Sequence, residues 1–522
     1  MKEEYSVQHS ANHTHIWDYL WIALIALWIA YTSPILYIPD SFEHVILGQC
    51  IFEGNSTALD CDHVFIPFRQ PLLTWLTGFL HHFVVDIDPF VTLGVIAYFA
   101  SVATIALLHN IVKPYIGWFS LLLIGGILFS DYIDALGIFA DSKGLVLVWL
   151  LLTVDILLQE DKNWKMGFFA GVSMGLAFLC RIEMLIPMTA FAIYMLLWDR
   201  KILLWYILGS GSIFAGWLWW LWGYTHLTVL SPRFWETYII IAMQDMPLRW
   251  VQELFGMGIW NTPMRNIAMQ FPILDTTGID ISITETDTTI AESALVWLQQ
   301  SIYPHFALQH WLVFICGIAH SVYRKKNRQL GWLLLAMISA SIIIGILPQA
   351  RYNIFASSYT IPFWMAMWVW VFVQLYEITK DILHSKFPES SKNNAILSIV
   401  MALFSLDLAL HSNIDIPKNN IEVESSSQAL RYWLEQHTTQ ESTILSSFEI
   451  SPIVFLANRR WQEWPSPFEM QQRIDSIDHE LYALVWIHDA HAWNSLAFAN
   501  TIYTPIAYMY EKDNGFVVFQ LK

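Results

Sequence analysis

The sequence predicts an all-α polytopic membrane protein of about eleven transmembrane helices, with a small C-terminal α/β or α+β domain outside the membrane. Three observations predict it. The chain has 522 residues, of which 56% are hydrophobic and only 14% charged, whereas ordinary soluble domains carry about 25% charged residues. Its apolar runs approach the ~20 residues that cross a hydrocarbon core. From about residue 412 the pattern changes to a polar, mixed sequence with short β-branched runs.

The apolar runs give spans at 17–38, 90–111, 114–130, 143–158, 166–180, 183–198, 202–222, 306–323, 330–348, 354–376 and 395–411. The first run is too long for the apolar core of a cleavable signal and lacks a small-residue cleavage site, so it reads as a retained anchor. Several of the 27 Trp lie near the ends of runs, where interfacial aromatics are expected. With the N-terminus inside, Lys113, Lys162, Lys165, Arg200, Lys201, Arg324, Lys325, Lys326, Arg328, Lys380 and Lys386 all fall on one side. The positive-inside rule makes that side cytoplasmic.

The expectation is therefore a multi-pass protein of the plasma (inner) membrane. Residues 1–411 form its membrane domain with outer loops 39–89 and 223–305, and residues 412–522 a soluble domain on the non-cytoplasmic face. In that tail, 427–436 reads as a helix, and "STILSS", "ALVWI" and "GFVVFQL" read as strands.

A net charge of -17 argues against a nucleic-acid partner, which needs a basic surface. Cys180 and Cys316 fall inside apolar runs. Cys50 and Cys61 share the first outer loop and pair if that face is oxidising. There is no Cys-x-x-Cys, His-Glu-x-x-His, nucleophile elbow or phosphate-cradling glycine loop.

Chemistry-bearing residues collect on the outer side. Pro39-Asp40-Ser41-Phe42-Glu43-His44 follows the first span. Asp40 and Glu43 are one helical turn apart. They read as a carboxylate site that activates an acceptor or holds a divalent metal, and equally as a solvated helix cap. Asp131, Asp134 and Asp141 flank the start of the fourth span. Asp141 caps that span, or completes a metal site with Asp40. Arg69 precedes a proline-led apolar helix, and its fork suits a phosphate or snorkels to a headgroup. Arg181 ends the fifth span and Arg351-Tyr352 opens the tenth from outside. Each grips a phosphate leaving group or pairs with an acid such as Glu183.

This ordered set resembles the polytopic GT-C glycosyltransferases that use polyprenyl-phosphate sugars, in particular the protein O-mannosyltransferase-like and aminoarabinose-transferase-like group. The resemblance is carried by "PDSFEHVILGQCIFEGN", "FIPFRQPLLTWLTGFL", "FAGVSMGLAFLCRIEMLIP" and the late Arg351-Tyr352. It implies that Asp40 takes the place of the catalytic acid, and Asp141, or else Asp131 or Asp134, that of the second outer-loop acid. Arg69 takes the place of a lipid-phosphate contact. Ser41 stands where many O-mannosyltransferases place a Glu directly after the Asp, which points away from protein mannosylation.

The implied activity moves a hexosyl or pentosyl group from a polyprenyl-phosphate donor to a lipid, glycan or protein acceptor, among membrane lipids, with a divalent ion (Mg or Mn) as an optional cofactor. The rivals are a surface-polysaccharide polymerase or ligase using a polyprenyl-diphosphate glycan, and a non-enzymatic transporter. A transporter usually shows two related halves and interrupted mid-membrane helices. This sequence shows no such symmetry, and its charges sit at span ends rather than mid-span.

Overall fold

A computed structural model describes residues 16–32, 39–53, 71–84, 89–128, 142–159, 162–225, 308–324, 327–352, 361–387, 392–411, 430–446, 453–454, 457, 459–463, 470–486, 505–511 and 514–521. The fold is mostly helical, with one small sheet. The helices are α1 (Ile16–Thr32), α2 (Pro39–Glu53), α3 (Pro71–Phe79), α4 (Pro89–Ile116), α5 (Ser120–Leu128), α6 (Ser142–Leu158), α7 (Trp164–Cys180), α8 (Leu185–Trp198), α9 (Arg200–Thr225), α10 (Leu308–Arg324), α11 (Arg328–Tyr352), α12 (Ile361–Lys386), α13 (Asn393–His411) and α14 (Met470–Ser476). Each apolar run read from the sequence overlaps one of these helices. Among the described residues, four stretches are long and apolar enough to cross a membrane: Val91–Leu128, Arg200–Trp220, Ile361–Lys386 and Asn393–Leu410.

Several boundaries differ from the sequence reading; α12, for one, runs ten residues past the expected end at 376. The expected second and third spans meet at Gly117, whose φ of 59° is a left-handed value that glycine adopts without strain. A short 3-10 turn, Gly117–Phe119, separates α4 from α5 there. Arg351 and Tyr352 close α11 instead of opening the next span, and α12 starts only at Ile361. A helix ends where its backbone hydrogen bonding ends. The polar Gln349 and Arg351 can therefore occupy the final turn after the apolar run has stopped. The loop expected at 223–305 lies outside the described residues beyond the end of α9.

The described residues form two compact units. The first holds α1, residues 95–116 of α4, α5 to α8, α9 as far as Trp220, and α10 to α13. Its central element is α12, in which residues 363–373 are buried without a break. A helix apolar all round is a buried one. In contrast, α13 leaves Leu403 and Leu410 exposed, as lipid-facing positions are.

Glycines set the closest approach, between α7 and α9. A Cβ on Gly171 would stand 2.1 Å from the Tyr206 carbonyl oxygen, and one on Gly209 would stand 2.2 Å from that of Phe168. Gly167 and Gly175 meet Ile202 and Ile213 in the same way. This four-residue spacing of small side chains lets two membrane helices touch backbone to backbone. Polar pairs stitch α10 in place. His310 Nε2 lies 2.7 Å from Asp407 Oδ2 on α13, and His320 and Arg324 meet Asp381 on α12 at 3.1 and 3.3 Å.

The second unit contains α2, α3 and the C-terminal elements. Both helices begin on proline, at the position whose missing N–H costs nothing. In α2, Val45, Ile46, Leu47 and Cys50 are buried. Gly48 and Gly78 press the two backbones together, since a Cβ on Gly78 would sit 2.5 Å from the Gly48 oxygen. His44 Nδ1 and Thr74 Oγ1 share a buried hydrogen bond of 2.9 Å. Phe52 packs edge-on against Phe79 and Phe83. Cys50 is disulfide-bonded, and Cys180 and Cys316 are free. Cys61 lies outside the described residues.

The tail forms a five-stranded mixed sheet in the order β2-β1-β3-β5-β4, from β1 (Thr443–Ser446), β2 (Arg460–Glu463), β3 (Leu481–Trp486), β4 (Pro505–Glu511) and β5 (Asn514–Gln520). β1 pairs in parallel with β2 and β3, whereas β5 runs antiparallel to β3 and β4. Leu445, Leu481, Ala483, Val485, Val517 and Phe519 pack with Met470 and Ile474 of α14 into one core. The strands expected at 442–447, 483–487 and 515–521 correspond to β1, β3 and β5, and the helix expected at 427–436 is helical over 430–437.

Arg459, 5% exposed, closes that helix. Its guanidinium donates to the carbonyls of Leu434, Glu435, Thr438 and Ala457 and to Thr438 Oγ1. Burial lowers its pKa from the usual arginine value, against the opposing pull of Glu435.

Candidate functional site

Three cooperating pieces of the first unit build a recess at one end of the helices. α6 begins at Ser142, so Lys143 stands in its first turn. α7 stops at Cys180 because Arg181 is extended, at φ -153° and ψ 130°. The Arg181 N–H still donates to the Ala177 oxygen at 3.1 Å and caps the helix. A 3-10 turn, Ile182–Met184, then leads into α8, where Pro187 occupies the first turn that proline tolerates. The break at Arg181 thus turns a membrane helix end into a short corner carrying one cation and one acid.

Lys143, Arg181 and Glu183 line the recess together with Val146 and Leu147 of α6. Met184, Ile344 of α11, and Ile361 and Pro362 at the start of α12 complete the wall. The enclosed space is small, about 30 Å³, and the rest of the hollow is open to solvent. Arg181 Nη2 donates to Glu183 Oε1 at 3.1 Å, with the two side chains 15% and 27% exposed.

Lys143 sits against the positive end of the α6 dipole, a placement that costs roughly 0.3–1 kcal/mol and is favourable only where an anion is near. Guanidinium and ammonium groups beside an apolar wall suit an amphiphile with an anionic head and a hydrocarbon body.

Of the residues read from the sequence, Arg181 is the one found in this recess. Arg351 lies on α11, seven residues and so about two turns beyond the wall residue Ile344. Asp40 and Glu43 lie in the first turns of α2, one turn apart along its backbone. Arg69, Asp131, Asp134 and Asp141 lie outside the described residues, Asp141 immediately before the start of α6. Among the described residues no group of three or more His, Cys, Asp or Glu is placed to hold a metal ion. The described side chains alone do not make a divalent site, and those of Asp40, Glu43 and Asp141 are not among them.

Two residues that line the recess are not candidates in the sequence reading. Lys143 is absent from it, although a lysine in a first helical turn two residues after Asp141 is a detectable signal. Glu183 entered only as a partner for Arg181, whereas it also lines the recess. The sequence "AGVSMGLAFLCRIE" therefore divides into Gly171 and Gly175, which pack α7 on α9, and Arg181 with Glu183, which form the recess corner.

No family profile and no curated protein matches the chain in sequence. Solved structures match its fold. ArnT from Cupriavidus metallidurans bound to undecaprenyl phosphate aligns with a TM-score of 0.57 at 9% identity, over 97% of this chain and 98% of that one. The archaeal oligosaccharyltransferase AglB from Archaeoglobus fulgidus, in complex with an inhibitory peptide and a dolichol-phosphate, aligns at 0.53 and 13% identity, over 96% of this chain and 74% of that one. An Archaeoglobus fulgidus oligosaccharyltransferase complex with Zn and sulfate aligns at 0.51 and 12% identity, over 96% and 72%. At these identities the likeness is one of fold.

Proposed function

From the premise that the chain has the GT-C fold of ArnT and AglB, we propose that it is an integral membrane glycosyltransferase. It moves one sugar from a polyprenyl-phosphate carrier to a lipid, glycan or protein acceptor on the non-cytoplasmic face. The observation that carries this reading is the recess in which Lys143 and Arg181 stand beside an apolar wall. Cations beside an apolar wall suit the head of a lipid phosphate held at the recess's open mouth.

The proposed chemistry is an attack by the acceptor on the anomeric carbon. The new glycosidic bond forms as the bond from that carbon to the carrier phosphate breaks, and the phosphate takes the electron pair. Asp40, in the first turn of α2, orients the acceptor or takes its proton. The phosphate gains charge as it leaves, so cationic groups that face it stabilise the transition state more than the ground state. Lys143 and Arg181 do this, with Arg351 and Arg69 as further phosphate contacts. Asp141, or Asp131 or Asp134, serves as the second acid. The tail, residues 412–522, frames the acceptor's approach.

The test is transfer by purified protein from a polyprenyl-phosphate sugar, compared with a polyprenyl-diphosphate glycan. Asp40→Asn is expected to abolish transfer while the protein still inserts and remains monodisperse. Normal transfer by that variant would remove Asp40 from the mechanism. Turnover of the diphosphate glycan alone would favour a polymerase or ligase.

A further inference from the structure

The end of α7 opposite the recess carries cations that the proposed transfer does not use. α7 runs 17 residues from Trp164 to Cys180, about 25 Å, which is close to the ~30 Å of a hydrocarbon core. α7 and α9 start side by side at that far end. A Cβ on Gly167 would stand 2.7 Å from the Ile202 oxygen and 3.1 Å from Trp205 Cβ. The Trp164 and Trp205 rings lie 5.2 Å apart. Lys165 Nζ stands 5.8 Å from the centroid of the Trp164 ring, within cation–π range. Lys201 is one turn before Trp205, on the same face of α9. Arg200 beside it donates to the Leu196 oxygen at 2.8 Å.

Among the described residues, no acid pairs with Lys165, Arg200 or Lys201. Asp199, next in the chain to Arg200, is paired with Lys162, and Glu160 and Asp161 lie outside the described residues. Phe169 of α7 and Leu204 and Leu208 of α9 are exposed one to two turns further along. Arg200–Trp220 is one of the stretches long and apolar enough to cross a membrane, so its first turn stands at headgroup level.

We propose that Lys165, Arg200 and Lys201 form, around the Trp164–Trp205 pair, a binding site for the headgroup of an anionic phospholipid. Its acyl chains lie along Phe169, Leu204 and Leu208. A lipid fits better than a soluble anion, because apolar surface continues from the cations directly into the span, and basic pockets between membrane helices suit such headgroups. The site is separate from the recess and does not rest on the carrier-phosphate reading.

The experiment titrates the full-length protein in detergent with dioctanoyl phosphatidylglycerol, dioctanoyl phosphatidylcholine or glycerol phosphate, and reads binding by native mass spectrometry. Wild type should bind phosphatidylglycerol about tenfold more tightly than phosphatidylcholine, and glycerol phosphate should not compete at the same concentrations. Lys165→Gln/Lys201→Gln should weaken phosphatidylglycerol roughly tenfold and leave phosphatidylcholine within about twofold. Lys380→Gln/Lys386→Gln removes the same charge near the end of α12 and should change neither affinity.

Equal wild-type affinity for the two lipids would overturn the site, a readout that needs no variant to fold. Unchanged phosphatidylglycerol binding by Lys165→Gln/Lys201→Gln would do the same. An equal loss in the α12 control would assign the preference to basic helix ends in general, and competition by glycerol phosphate would make this a site for soluble anions. Either result also overturns the proposal.

Discussion

Arg181→Ala tests whether the recess stabilises a leaving phosphate or merely sits near one. The phosphate acquires about one extra negative charge as the anomeric bond breaks. At a separation of roughly 5 Å and an effective dielectric near 20, one guanidinium offers about 3 kcal/mol to that charge. Glu183, hydrogen-bonded to Arg181 at 3.1 Å, is present in both proteins, so its repulsion does not reduce that difference. A loss of about 3 kcal/mol corresponds to a fall in kcat of roughly 100- to 200-fold. The donor KM should rise by a smaller factor, because the ground-state diester carries less charge. Removing Arg181 alone also leaves Glu183 facing the phosphate unopposed. The double variant Arg181→Ala/Glu183→Ala should therefore lose less activity than the sum of its parts. The assay is steady-state transfer of a radiolabelled sugar from its lipid carrier by detergent-solubilised protein, with Lys143→Ala in parallel. Single variants at both positions that keep kcat within about twofold of wild type would refute the argument, since the structure offers no smaller coupling for groups lining the same recess.

Three further outcomes follow from the packing and the candidate chemistry. Gly171→Ala should lower thermal stability by at least the ~1–3 kcal/mol typical of overpacking, because its Cβ would meet the Tyr206 oxygen at 2.1 Å. Gly211→Ala, with nothing within 4 Å of the added carbon, should be neutral or slightly stabilising in the same melting assay. Arg459→Met should destabilise the tail by about 2–4 kcal/mol, as the carbonyls of Leu434, Thr438 and Ala457 each lose a guanidinium donor. Hydrogen exchange should then rise across 430–446 of the intact chain, and unchanged protection there would count against the capping role. Transfer should survive thorough chelation, with Asp40 acting as a base alone. Loss of activity that Mg or Mn restores would instead place a divalent ion at the acidic residues.

The sequence by itself determined which stretches are helices and which residue types carry charge. Apolar run length located α6, α7, α8 and α13 to within two residues at either end, because a membrane-sized helix must be apolar along its whole length. Pro71 marked the start of α3, since proline fits a first helical turn. The β-branched runs marked β1, β3 and β5, whose side chains fill the sheet's core. β2 and β4 were not legible. The residues of β2, "RWQE", are mostly polar, and β4 opens on a proline at the sheet edge, so neither carries the apolar signal of a central strand. Arg181 was legible as a cation at a helix end.

Its surroundings were not legible. Lys143 lies 38 residues earlier in the chain, and Ile344 and Ile361 lie more than 160 residues later, so no local pattern joins them to Arg181. These residues meet because Arg181 breaks α7 at the level where α6 and α12 begin and α11 passes by. Helix position and length depend on local composition, which the sequence states directly. A recess depends on which helix ends coincide in space, and that is decided by side-chain packing between segments far apart in the chain.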